Sequence, residues 1–475
     1  MKSFDKEIVS GSILRSVWKL SWPLVLINLA NGMHGFVDHI LVGHFVGTAN
    51  NAGNAGIGVA WQVFLVAVVL VVSLFHGTNV LVARCAGKQD RATLSRVFYS
   101  TLTCSVAVLF LVVAPLGYFL SPWMLGLVEV KDEVGQYALP YLRILFTAGA
   151  PLFLMFMITG AMNASGDPRT PLKLAILSTL LNIGISLVLI PGWGPIPAFG
   201  TIGAALGTVI APTITVLLAL YLIVRGHTII APPRPAMWIP DLRIMATVVR
   251  IGVPTGIQGV LLNIGGVFLI RYIGLLPNGS AAQAAYSIGY AQLFSLVTWI
   301  AFGLRVASGT LMGQNIGAGD PERGKQSVRL AAMVGSAWAT LIGVVFWLFP
   351  SLLLGWFNVT TDPVLGMGRS LLQYLSASGV ALAATLALTG ALQGAGETKK
   401  PMYIAFITQI LVLLGICQGL YALNRLYVEG IWAAILVAQT SRLAMTWWVF
   451  RTKAWAYRHI EIPTDPEGLP EENAV

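Results

Sequence analysis

Charge is what this chain has least of. Asp, Glu, Lys and Arg make up 10% of its 475 residues, against about a quarter in a soluble domain, and 56% are hydrophobic. That balance excludes a water-soluble enzyme or nucleic-acid module and implies a polytopic membrane protein. Acid is scarcer than base, giving a net charge of +10. The basic residues fall in clusters between apolar runs, as cytoplasmic loops do, and form no basic and aromatic face, so no nucleic-acid partner is expected. Three cysteines, Cys85, Cys104 and Cys417, are scattered without a CxxC pair or a metal spacing. They leave the redox compartment open and offer no metal centre. No small-residue cleavage site follows the first apolar run, so an uncleaved first helix is expected. HExxH, GxSxG and GxxxxGK are missing too, as are paired carboxylates near a membrane face. An enzyme is therefore not expected.

What remains is apolar runs, each about 20 residues or longer. They define about twelve spans, near 21–45, 55–83, 97–120, 137–163, 171–191, 200–224, 247–274, 282–312, 328–349, 370–393, 401–423 and 430–450. Lys and Arg gather at the N-terminus (Lys2, Lys6, Arg15, Lys19) and after every even-numbered span, for example Arg84, Lys88, Arg91 and Arg96. The opposite loops hold little beyond Lys131, Arg369 and Arg425. Both termini are thus expected in the cytoplasm, and an even number of spans agrees with that.

The chain also repeats itself. GAMNASGDPRTPLKLAILSTLLN, beginning at Gly160, matches GALQGAGETKKPMYIAFITQILV, beginning at Gly390, and LVARCAGKQD from Leu81 matches LMGQNIGAGD from Leu311 at the same offset. LSWP, ending at Pro23, matches IGVP, ending at Pro254. The expected fold is all-α, with twelve transmembrane helices as two pseudo-symmetric six-helix lobes, 1–224 and 244–450. Residues 225–243, rich in proline, form a cytoplasmic linker, and 451–475 a cytoplasmic tail. With about six spans each, the halves enter from the same side, so their axis runs along the membrane normal.

One stretch breaks the apolar rule. In WPLVLINLANGMHGFVDHILVGHFVG, Trp22 to Gly47, Asp38 lies among apolar residues, where a charged group costs on the order of 3 kcal/mol. Asn31, His34 and Asp38, at i, i+3 and i+7, share one helix face. Pro23 lacks a donor and bends the helix below that face, which makes it a candidate hinge.

With the repeat and this stretch in hand, the chain resembles the multidrug and toxic compound extrusion (MATE) family. The resemblance rests on VDHILVGHFVG, on GDPRTP and GETKKP after the fourth helix of each half, on GDPERGKQ after helix 8 and on FGTIGAALGTVIA in helix 6. It covers residues 10 to 450 and implies an efflux antiporter that exports organic, often cationic, compounds in exchange for protons or sodium ions by alternating access. Asp38 matches an aspartate that the DNA-damage-inducible branch is proposed to protonate or to load with a cation, which places the chain nearer that branch. Asn182 matches the asparagine of the family's Asn-x-x-x-Asp pair, but the aspartate is replaced by Ser186. Carboxylates that sodium-coupled members carry in helices 7 and 10 are absent: Leu262 stands at the helix 7 position, next to Asn263, and helix 10 has no acid. Within the repeat, Asp38 aligns with Leu269, Asn182 with Val412 and Ser186 with Ile416. Any coupling site therefore belongs to the N-terminal lobe.

Ser178, Asn182 and Ser186 form a second polar stripe, on helix 5, suited to face the first one; small polar residues also serve as interhelical glue. Thr208 of helix 6 matches a family position near the same cavity. His34 is placed to modulate Asp38, while the i+5 spacing of His34, His39 and His44 spreads the rings around the helix and argues against a metal. Arg271 and Arg305 either pair across helices or snorkel, snorkelling being preferred for Arg271. Tyr286, Tyr290 and Trp299 offer faces to an organic cation, and Met155, Met157 and Met162 an adaptable wall; interface anchoring and core packing explain them equally. Asn278 and Asn358 head NxS/T sequons in external loops. The expected partners are small organic substrates and the lipid bilayer, with no cofactor beyond H+ or Na+. The chain is expected to act as a monomer in a bacterial inner membrane. A flippase for a lipid-linked precursor, from the wider superfamily, is the alternative, and buried arginine is sparse for that task.

Overall fold

A computed structural model describes residues 2–46, 52–128, 132–357, 362–452, 455–456 and 460, with side chains within them except those of 31–36, 70 and 362. Asn358 and most of the tail 451–475 lie outside the described residues. In a bilayer every backbone N–H and C=O has to be satisfied within the segment, which leaves the helix as the solution for an open chain. Helices run almost throughout. A short α1 (Lys6–Ser10) precedes α2 (Ile13–Phe45), α3 (Ala52–Gly87), α4 (Arg91–Val108), α5 (Ala114–Leu127), α6 (Asp132–Ala148), α7 (Ala150–Ala164), α8 (Arg169–Leu189) and α9 (Thr201–Val224). There follow α10 (Leu242–Gly274), α11 (Gly279–Tyr286), α12 (Ser295–Gly317), α13 (Pro321–Leu348), α14 (Pro350–Gly355), α15 (Asp362–Gly394), α16 (Lys399–Phe406), α17 (Gly415–Ala422) and α18 (Val428–Arg451). Nine stretches among the described residues are long and apolar enough to cross a membrane, or ten if α6 and α7 are one bent span.

Twelve helical stretches stand where twelve spans are expected, and four of them depart in shape. The fourth bends by 52° between α6 and α7, because Gly149 admits a carbonyl approach from Leu145 that a side chain would block, and Pro151 has no N–H for the preceding turn. The eighth divides into α11 and α12, joined through a π-helical segment, Ser287–Leu293. Further π segments, Leu109–Val113 and Ile407–Leu414, join α4 to α5 and α16 to α17.

Two compact units emerge. The first contains residues 26–252 and the extreme N-terminus, and the second contains residues 6–25 and 253–459. α2 therefore divides after Val25, two residues beyond Pro23, and α10 divides after Gly252, two residues before Pro254. In the first unit α3 packs on α6 and α7, α8 on α9, and α6 on α9; Phe64 sits between Phe146 and Phe153 at 5.2 and 5.5 Å. Residues 225–243 are seated here: the Tyr99 hydroxyl donates to the Ala231 carbonyl at 2.8 Å, and Arg96 pairs with Asp241 at 3.0 Å. In the second unit α15 packs against α12, α13 and α18. Its N-terminal segment is held by Arg323, which donates to the Gly11 carbonyl at 2.6 Å. Around α1, Lys19 and Arg15 bond the Glu7 carboxylate and hold it below its usual pKa.

The sequence repeat recurs as turn geometry. After α7, Gly166 N–H bonds the Asn163 carbonyl and Asp167 N–H that of Met162; at the matching end of α15, Gly396 and Glu397 bond Gln393 and Leu392 in the same way. These are Schellman ends, which need a left-handed residue, and Gly166 and Gly396 have φ of 97° and 82°. The turns after α3 and α12 match as well. Asp90 caps Thr93 N–H and Asp320 caps Arg323 N–H, each at 2.9 Å, but the left-handed residue is Gln89 (φ 60°) in one and Gly319 (φ 84°) in the other. A side chain in that region costs about 1 kcal/mol or more, partly offset by the greater chain entropy that glycine loses. Gln89→Gly is therefore expected to stabilise the protein by about 0.5 kcal/mol. A rise in the apparent melting temperature in detergent checks this, and a fall would show that the Gln89 side chain makes a stabilising contact.

Candidate functional site

Asp38 projects from the second half of α2 and is 3% exposed. Ser186 Oγ of α8 donates to Oδ1 at 2.7 Å, and Thr208 Oγ1 of α9 stands 3.4 Å from Oδ2. Thr208 has a second acceptor in the Ala204 carbonyl at 3.0 Å, so its single hydrogen is shared between a helix bond and the carboxylate. Among the described residues Asp38 has no cationic partner within ion-pair distance. Two turns before Ser186, the Thr179 hydroxyl donates to the Ala30 carbonyl at 3.2 Å and moors α8 to α2. Gly207 lets α9 come close: a Cβ there would stand 2.5 Å from Ser186 Oγ and 3.4 Å from Asn182 Nδ2.

Asn182, one turn before Ser186, is 3% exposed, and neither Oδ1 nor Nδ2 has a hydrogen-bond partner. Leaving buried donors and acceptors unpaired costs on the order of 1–3 kcal/mol each. This carboxamide lies on the wall of a cavity of about 290 Å³ that also includes Ile27, Asn28, Trp61, Met155, Thr159, Ser178, Thr208 and Pro212. Thr208 and Asn182 thus belong both to the wall and to the surroundings of the carboxylate. The volume is at the small end for organic-ligand pockets, about 300–1,000 Å³.

The structure brings Asp38, Asn182, Ser186 and Thr208 together and puts Ser178 on the cavity wall. The side chains of Asn31 and His34 lie outside the described residues. His39 faces away, with Nδ1 3.3 Å from Asn54 Oδ1. Of the three methionines Met155 lines the cavity, while Met157 and Met162 are fully buried in the core. Arg271 is exposed in the last turn of α10. Tyr141 of α6 is a member of the group that the sequence alone does not single out. It is buried within electrostatic reach of Asp38. The signal for it lies in the repeat, where its counterpart is Leu371: a polar residue in one half faces an apolar one in the other.

A doubled six-helix membrane protein with a desolvated carboxylate beside a cavity has the organisation of a carrier rather than of an enzyme. The sequence profile of the MatE family matches residues 23–188 and 254–416, once in each half, and the chain belongs to that family of transporters. It is 25% identical over 456 residues to the probable multidrug resistance protein NorM of Thermotoga maritima, with 94% of each chain covered. It is 26% identical over 423 residues to the probable multidrug resistance protein YoeA of Bacillus subtilis, covering 89% of this chain and 90% of that one. Among solved structures, a MOP superfamily transporter from Pyrococcus furiosus superposes with a TM-score of 0.86 at 18% identity, and an outward-facing multidrug resistance MATE family transporter with 0.85 at 19%. Each comparison covers 95% of this chain and 98% of the other. The shared fold is that of a multi-pass integral membrane protein with twelve helices in two lobes.

The close approach at Gly207 gives a local test. Gly207→Ala has room only if Ser186 Oγ rotates off Asp38, since the obstructing atom is the tip of a small side chain. The variant is expected to fold and insert normally while transport falls about tenfold, the equivalent of losing one hydrogen bond to a charged group, about 1.5 kcal/mol. Wild-type transport in a folded Gly207→Ala protein would detach the Ser186 contact from activity.

Proposed function

We propose that this chain is a secondary active antiporter that expels small organic compounds, cationic ones foremost, in exchange for protons or sodium ions by alternating access. The observation that carries the reading is a buried Asp38 balanced by hydroxyl groups alone, with no fixed cation among the described residues. A hydroxyl both donates and accepts. When Asp38 is ionised, Ser186 and Thr208 donate to it. When it is protonated, it donates to Thr208, whose own hydrogen turns to the Ala204 carbonyl. Ser186 and Thr208 thus serve the carboxyl group in either state, and a small cation would find oxygen ligands in Asp38, Ser186, Thr208 and Asn182. The names of the relatives, multidrug resistance proteins, support an organic cargo, and the mixed apolar and amide wall of the cavity suits one. The Lys and Arg distribution supports cytoplasmic termini in a bacterial inner membrane.

Filling the site with a proton or cation removes the electrostatic cost of the α2 carboxylate, and filling the cavity with substrate repacks the same wall through Asn182 and Thr208. The two occupants thereby compete for one helix. α2 has its yielding point at Pro23, which leaves the Lys19 carbonyl without its helical donor, next to the residue where the helix passes from one compact unit to the other. Pro23→Ala is expected to slow turnover several-fold while leaving the substrate Kd within about twofold, measured as efflux rate and equilibrium binding on the same preparation. Equal turnover in mutant and wild type would remove Pro23 from the cycle.

Asp38→Asn keeps the shape and discards the charge. It is expected to abolish gradient-driven efflux in proteoliposomes without loss of folded, inserted protein, and Asn182→Ala to weaken coupling less. Ser186→Asp restores the family pair and is expected to move the pH profile, because two adjacent carboxylates titrate as one coupled unit. Separate proton and sodium gradients identify the ion. Gradient-driven transport with the wild-type pH profile in Asp38→Asn would refute coupling in the first lobe.

A further inference from the structure

The membrane-embedded part of the second unit contains arginine without acid. The unit's helices carry Asp or Glu only in terminal turns, at Glu7, Glu322, Asp362 and Glu429, whereas Arg305 lies midway along α12 and Arg442 within α18. Arg442 is 4% exposed and, among the described residues, has no carboxylate and no hydrogen-bond acceptor. Arg305 gives Nε and Nη2 to Gln393 Oε1 at 3.2 and 2.9 Å, and Gln393 Nε2 passes the bond on to Gln258 Oε1 at 2.9 Å. That chain fixes the amide of Gln393 with its oxygen towards the cation and leaves three of the five Arg305 N–H groups unused. The two guanidinium groups lie within electrostatic reach of each other, and Arg442 within reach of Tyr290. Tyr290 is itself held in a column, its ring 5.0 Å from that of Tyr286, which stacks at 6.2 Å on the fully buried Trp432.

Two like charges within reach of each other are costly, and an amide eases that cost without cancelling it. The repeat sets two amides of this neighbourhood opposite cavity-lining positions of the first half. In the register that sets Pro254 on Pro23, Gln258 stands where Ile27 stands in the first half. With Gly430 set on Gly203, Gln439 stands where Pro212 stands. Ile27 and Pro212 both line the cavity of the first unit. Gln439 is one turn before Arg442 and has a buried Oε1 without a partner.

We propose that Arg442, with the unused edge of Arg305, forms an oxyanion site in the second lobe, which takes the carboxylate or phosphate of an organic anion. A guanidinium fork matches a planar or tetrahedral oxyanion with two parallel bonds, and the anion supplies the countercharge that the lobe lacks. The anion comes either from a soluble carboxylate or from a phospholipid headgroup. The site is contained in one unit and does not depend on Asp38 coupling transport.

The test is binding to the purified full-length protein in a neutral detergent, with 2-naphthoate as the soluble oxyanion, phosphatidylglycerol as the lipid and phosphatidylcholine as the lipid without net charge. Calorimetry is expected to find one naphthoate per chain. Arg442→Gln is expected to raise its Kd at least tenfold, Arg442→Lys to raise it less, and Asp38→Asn to leave it unchanged. If native mass spectrometry finds phosphatidylglycerol retained over phosphatidylcholine and displaced by naphthoate, the headgroup is the source; if naphthoate binds and neither lipid competes, the source is soluble. Should Arg442→Gln fail to fold, Arg305→Gln and Arg442→Lys carry the same reading through their Kd values. Failure of wild-type protein to bind either anion, or equal affinity in the folded arginine variants, overturns the proposal.

Discussion

Inside a bilayer, a hydroxyl group serves a carboxylate in either protonation state, because it donates to the anion and accepts from the acid. Asp38 depends on that property. Ser186 and Thr208 hold it at 2.7 and 3.4 Å, and the helices that supply them are brought in by features with no other evident task. Gly207 removes the side chain that would push Ser186 away, and Thr179 ties α8 to α2 through the Ala30 carbonyl. An arginine or lysine in place of either hydroxyl would hold the carboxylate more tightly and freeze its charge, since a buried ion pair has one favourable ionisation state. Weak, two-way partners serve the carboxyl group in both states.

The two halves share their scaffold and differ in their chemistry. Helix ends, capping aspartates and left-handed turns recur at one spacing, while the polar residues about Asp38 are replaced position by position with Leu269, Leu371, Val412 and Ile416. Conversely, Arg305 stands where the first half has the buried Phe75. Turn geometry constrains what the backbone can do, so it persists through duplication. Side chains in an interior are constrained by their neighbours alone, so these positions have diverged.

Much of this is legible without coordinates. The spans are, because lipid demands long apolar helices, and so is the repeat, because capping and turn residues recur at one spacing. Asp38, Asn182, Ser186 and Thr208 stand out as polar residues in apolar surroundings, and helical spacing is enough to put the two stripes on single faces. Less is legible where the outcome depends on pairs remote in sequence. Arg305 and Gln393 are 88 residues apart and Gln393 and Gln258 are 135 apart, so no local pattern announces their chain of amides, and the sequence alone leaves Arg305 between pairing and snorkelling. Tyr141 resembles an ordinary interfacial aromatic until its counterpart, Leu371, is set beside it. The bend between α6 and α7 does leave a trace in the Gly149-Ala150-Pro151 run, but the π segments leave none, since the extra residue per turn is absorbed without a special side chain.

The passage of residues 6–25 into the second unit bears on how the protein is made. Gly11 leaves the ribosome early, yet its partner Arg323 follows 312 residues later. At about 5–20 residues per second that is a delay on the order of half a minute. During this interval the first unit can close its own core, while the leading half of α2 waits in the membrane for helices not yet synthesised. Completion of the second unit is therefore a non-local event, with a loop-closure cost set by the 312 residues between Gly11 and Arg323. The same arrangement means that a nascent chain arrested after the first lobe would expose an unpartnered half-helix, a mark by which quality-control proteases could tell an unfinished transporter from a finished one.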